Sequence, residues 1–137
     1  MDPVTFLGLV ASIIEIATFI RKIGKPVTPE SINTEFQQRS LSGRMPEARI
    51  AVSEAQVLDT ATDYLGFDDQ FADRIGKCIE PYNKAIADGS NTDVDEEYHQ
   101  ARVCICENIK LARRHHRGKF PDERFRKWFE QFNCLTM

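Results

Sequence analysis

A chain of 137 residues carries material for one domain with one core. Its 42% hydrophobic and 28% charged residues are those of an ordinary globular protein, which excludes intrinsic disorder and full embedding in a membrane. A formal net charge of −3 excludes a general attraction to nucleic acid.

The first predicted element is a helix over residues 3–23, with Asp2 as N-cap, Pro3 in the first turn, basic residues in the last turn, and Gly24 and Pro26 as the stop. It does not read as a secretion signal. Its basic residues Arg21, Lys22 and Lys25 follow the apolar stretch instead of preceding it, and no small-x-small cleavage motif comes after. A shorter second helix starts at Thr28, followed by Pro29 and Glu30, with Ile32, Phe36 and Leu41 as its apolar positions. Residues 42–46 form a loop. The third helix, entered at Pro46 or at Ser53, turns Val57, Leu58, Ala61 and Leu65 inward and ends at Gly66.

Asp68 or Asp69 caps a fourth helix, in which Phe71, Ile75, Cys78, Ile79, Tyr82 and Ile86 recur at helical spacing. Pro81 predicts a kink within it, and residues 89–91 end it. The fifth starts near Asp93 and presents Val94, Tyr98, Ala101, Ile105, Ile109 and Ala112 as a core stripe. Arg113, Arg114, His115 and His116 lie at its C-terminal end, where the helix dipole favours cations, and Gly118 breaks it. The last helix begins at Pro121, has Asp122 and Glu123 in its first turn, and brings Phe125, Trp128, Phe129 and Phe132 to one face that closes the core. No period-two run is long enough for a strand, residues 49–52 included. The expectation is a single all-α domain over residues 1–137, a compact helical bundle of five to six helices with a hydrophobic N-terminal helix.

Chemistry is hard to find in this sequence. His115 and His116 are adjacent, so they diverge by about 100° on a helix, and no His-x-x-x-His or Glu-x-x-His pair exists to hold a metal. Gly24-Lys25-Pro26 lacks the other residues of a phosphate loop, and no Gly-x-Ser-x-Gly occurs. Cys78, Cys104, Cys106 and Cys134 have neither the density nor the spacing of a disulfide framework, and read as reduced, mostly buried thiols of a cytosolic protein. No catalytic, cofactor-binding or metal-binding residue is assigned, and the chain is not expected to be an enzyme. Charge is nonetheless uneven. Asp88, Asp93, Asp95, Glu96 and Glu97 form an acidic run, whereas residues 110–127 hold eight Lys or Arg besides two histidines. The basic run suits an acidic partner or an anionic membrane surface, or simply a solvated helix end.

The first helix is the unusual feature. Ten large apolar residues lie between positions 4 and 20: Val4, Phe6, Leu7, Leu9, Val10, Ile13, Ile14, Ile16, Phe19 and Ile20. Such a helix is apolar nearly all round, which suits burial in a protein core or in lipid. Thr5, Gly8, Ser12, Glu15 and Thr18 follow one another by three or four residues and are expected to make one narrow polar edge. Central apolar residues contribute about −0.3 to −0.6 kcal/mol each to bilayer insertion, and an ionised Glu15 offsets about 2.5 to 3.5 kcal/mol of that sum. The balance is close to zero, which fits a conditional membrane helix, and the same pattern fits the central helix of a bundle.

The opening residues Met1-Asp2-Pro3-Val4-Thr5-Phe6-Leu7-Gly8-Leu9-Val10-Ala11-Ser12-Ile13-Ile14 resemble the start of fungal HeLo and HeLo-like domains, found at the N-termini of NLR-type receptors and their partner proteins. Bacterial Bell domains are similar in plan. The resemblance is sharp over about the first twenty residues and architectural beyond them. It implies a cell-death or immune effector domain that clusters and disrupts membranes through its first helix. On that reading Phe6, Leu7, Leu9, Val10, Ile13, Ile14, Ile16 and Phe19 meet lipid, Gly8, Ser12 and Glu15 form the polar edge, and Arg21, Lys22 and Lys25 contact headgroups. The implied partners are membrane lipids, further copies of the chain and an NLR-type receptor, with no nucleic acid. The implied location is cytoplasmic at rest and membrane-associated when active. The alternative is a non-enzymatic adaptor that binds a protein through the first helix or the Phe- and Trp-rich last one.

Overall fold

The structure, a computed structural model, describes residues 1–41, 52–88 and 94–136. Among them run six α-helices: α1 (Pro3–Lys22), α2 (Pro29–Leu41), α3 (Glu54–Gly66), α4 (Asp69–Asp88), α5 (Val94–His115) and α6 (Glu123–Gln131), with a closing 3-10 turn at Cys134–Thr136. The class is the all-α helical bundle expected. The loop expected at residues 42–46, the stop at residues 89–91, and Asp93 lie outside the described residues, as does the side chain of Val94.

Local chemistry sets the helix ends. At α1 the Thr5 backbone N–H donates to Asp2 Oδ1 at 2.8 Å and the Thr5 hydroxyl to Oδ2 at 2.9 Å, so Asp2 is the N-cap. Thr28 and Ser31 cap α2 reciprocally, each backbone N–H donating to the other's hydroxyl at 2.9 and 3.0 Å. Ser53 opens α3 in a capping box with Gln56. Asp122 caps α6 by accepting from the N–H groups of Arg124 and Phe125, which leaves Pro121 outside the helix. Pro81 lies within α4, which runs on through it. It is exposed, so the Lys77 carbonyl that it leaves without an intrahelical donor is on the solvated side.

The chain divides into two units, Met1–Leu7 with Asp69–Met137, and Gly8–Asp68. In the first, the Phe6 ring stands edge-on to Trp128 at 5.5 Å and to Phe132 at 4.8 Å, and Phe71 of α4 meets Phe125 of α6 at 4.6 Å. Trp128, Phe125, Phe129 and Phe132 are all buried, as their spacing predicts. Arg102 reaches from α5 to the end of α6, donating from Nε to the Phe132 carbonyl at 2.6 Å and from Nη2 to the Asn133 carbonyl. A cation on terminal carbonyls complements the α6 dipole. Burial pushes the nearby Tyr98 phenol above its ordinary value, Arg102 opposing and Asp2 reinforcing the shift. In the second unit, Asn33 donates to Glu54 Oε1 at 3.0 Å and accepts from Gln37 at 3.1 Å, tying α2 to the start of α3. Ile32, Phe36, Val57, Ala61 and Tyr64 are buried there.

Two expectations are corrected. Leu41 is 89% exposed rather than inward, at the last residue of α2. The cysteines are not free thiols: Cys78 of α4 is bonded to Cys104 of α5, and Cys106 of α5 to Cys134 of the closing turn. Residues two apart on a helix point about 200° apart, so Cys104 and Cys106 meet partners on different sides, each far away in sequence. Spacing along the chain does not reveal such pairs.

Candidate membrane-active helix

Helix α1 is positioned by both of its ends. Its C-terminus closes on Gly24, whose φ of 74° is cheap only for glycine. The Gly24 N–H donates to the Arg21 carbonyl at 3.0 Å and the Lys25 N–H to the Ile20 carbonyl at 3.2 Å, the paired bonds of a Schellman motif. Between the two caps stand twenty helical residues with one charge, Glu15, before the basic last turn. Among the described residues this is the helix long and apolar enough to cross a membrane, a test that a buried core helix also passes.

Its side chains are mostly stored inside the protein. Phe6, Leu7, Leu9, Val10, Ile13, Ile14 and Ile16 are buried, whereas Phe19 is 39% exposed. The Phe19 ring lies under the Arg39 guanidinium of α2 at 5.1 Å, and Arg39 is held in turn by Glu35 at 3.0 Å. Of the residues assigned to a polar edge, only Glu15 and Thr18 are exposed; Gly8 and Ser12 are buried and Thr5 is half-buried. The Ser12 hydroxyl donates to the Gly8 carbonyl at 2.9 Å, and that bond lets a polar residue sit in an apolar environment. The exposed side of α1 is instead Val4, Glu15, Thr18, Phe19 and Lys22. Val4 at 56% exposure is the residue that hydropathy alone misplaces. Arg21, Lys22 and Lys25 are exposed, as headgroup contact would require.

Both disulfides fall within residues 78–134, so no covalent link besides the backbone holds α1, α2 or α3. Among the described residues, no three His, Cys, Asp or Glu side chains come together as metal ligands. No family model matches the chain, and no curated protein or solved structure matches it.

Proposed function

We propose that this chain is a membrane-disrupting effector domain, of the kind that its first residues resemble, which releases α1 into a bilayer when copies cluster. The observation that carries the reading is α1 itself: twenty residues, ten of the first seventeen large and apolar, with a single interior charge. Its summed insertion free energy, about −3 to −6 kcal/mol from the apolar residues against about +2.5 to +3.5 for Glu15, leaves the balance to be tipped by neighbours in an oligomer. The position of the two disulfides supports release. They staple residues 78–134 and leave α1 to be held by packing alone, which a competing environment can replace. The cytoplasmic resting location that goes with this reading carries a condition. Disulfides persist in oxidising surroundings, so in a reducing cytosol the four thiols would stay open until oxidation.

The adaptor alternative loses one of its two proposed faces, because the aromatic residues of α6 are buried. Dye release from liposomes separates the readings, with the full chain clustered by fusion to an inducible oligomeriser. Glu15 is exposed, so Glu15→Ala is expected to leave stability within about 0.5 kcal/mol while changing dye release several-fold. The rate rises if Glu15 restrains insertion and falls if it lines a pore. Clustered wild type and Glu15→Ala that both leave liposomes intact would show α1 to be a core helix and nothing more.

A further inference from the structure

Helix α5 ends in the most basic part of the molecule. From Asn108 to Pro121 there are five Lys or Arg (Lys110, Arg113, Arg114, Arg117 and Lys119), two histidines, and no carboxylate. Arg114, His115, His116, Arg117 and Lys119 are exposed. None of these five forms an ion pair among the described residues, whereas Arg39, Lys77, Arg124 and Arg126 all do. Arg113 acts differently: it is half-buried, stacks on Phe120 at 4.9 Å, and donates from Nε to the Gly118 carbonyl at 2.8 Å, which fixes the turn.

The backbone of the turn is the second observation. The Gly118 N–H donates to the Arg113 carbonyl at 3.0 Å and the Arg117 N–H to the Arg114 carbonyl at 3.0 Å, the same Schellman pattern that ends α1. At the left-handed position α1 has Gly24, but α5 has Arg117, with φ 56°. A side chain there is strained where glycine would not be, so the chain keeps a cation at a stability cost.

We infer that the turn ending α5, with Arg114, Arg117 and Lys119 as its cations, is a docking surface for an anionic lipid bilayer. Two features select lipid over nucleic acid. Leu111 is 41% exposed and lies one helical turn from Arg114 and His115 on the same face, which sets an aliphatic group among cations as an interfacial lipid contact does. The one aromatic ring in the turn, Phe120, is already covered by Arg113 and by Phe129 at 5.3 Å, so it offers no face for a base to stack on. This docking needs no release of α1 and stands apart from the function proposed above.

The test is sedimentation of the unclustered full chain with phosphatidylcholine vesicles, with and without phosphatidylserine. Binding is expected only to the anionic vesicles and should weaken as salt rises. Each Lys or Arg at such a surface strengthens binding about fivefold, so R114Q/R117G/K119Q should lose roughly 100-fold. R117G alone should lose about fivefold while melting higher than wild type, which separates binding from folding. Three results would overturn the inference. One is unchanged vesicle binding in the triple variant. Another is a loss found only in R21Q/K22Q/K25Q at the end of α1. The third is a single-stranded oligonucleotide that outcompetes the vesicles. Vesicle binding without dye release leaves the docking surface standing and removes only the α1 mechanism.

Discussion

Gly76 sits in the interior of α4, where a glycine weakens the helix, and a Cβ built on it meets nothing within 4 Å. Gly76→Ala should therefore raise stability by about 1 kcal/mol, roughly 3 to 5 °C in Tm, in a thermal melt. An unchanged or lower Tm would mean that this glycine has a role its surroundings do not reveal. Asp2 makes a prediction about acid. Its carboxylate is held below the ordinary 3.8 first by the Thr5 backbone N–H and then by the Thr5 hydroxyl. A lowered folded-state value means that the capping stabilisation is present above the ordinary value and is lost as pH falls below it. Amide exchange at Thr5 should accelerate in that acid window, ahead of the exchange of buried α1 amides such as Ile13. Simultaneous acceleration of both would mean that the cap does not act locally.

Helices were legible where capping and periodicity agree, and misread where side chains settle their own polarity. Asp2, Ser53 and Asp122 all cap helices at positions that the sequence offered, and the aromatic spacing of α6 placed four rings inside. Trp128→Ala should accordingly cost about 3 to 5 kcal/mol in chemical denaturation, because the indole is fully buried beside Phe6 and Phe132. A cost below about 1 kcal/mol would mean an exposed ring, and would return α6 to the adaptor reading. The polar edge of α1 was the illegible part. A serine or glycine in a helix pattern counts as polar, yet Ser12 satisfies its hydroxyl on the Gly8 carbonyl and is buried with it. Pattern reading also assumes that apolar means inward, and Val4 and Leu41 at the ends of their helices depart from that.

For the molecule as a whole, the disulfides decide between two accounts of its stability. The sequence reading expects reductant to leave the melting temperature alone. The structure closes two loops, of separations 26 and 28, that do not overlap along the chain. In the chain-entropy account each loop of that length is worth about 3 to 4 kcal/mol, set against a typical whole-domain stability of about 5 to 15 kcal/mol. Reductant should therefore lower Tm by many degrees, and Cys78→Ser/Cys104→Ser and Cys106→Ser/Cys134→Ser should each account for about half of the loss. Alkylation of the denatured, unreduced protein should label no thiols, and after reduction four. Four labelled thiols before reduction, with a melting temperature indifferent to reductant, would restore the free-thiol reading. The functional proposal adds a further demand. If α1 leaves a stapled base, dye release should proceed with both disulfides closed. Leakage that appears only after reduction would mean that residues 78–134 must loosen first, and that α1 is not held by packing alone.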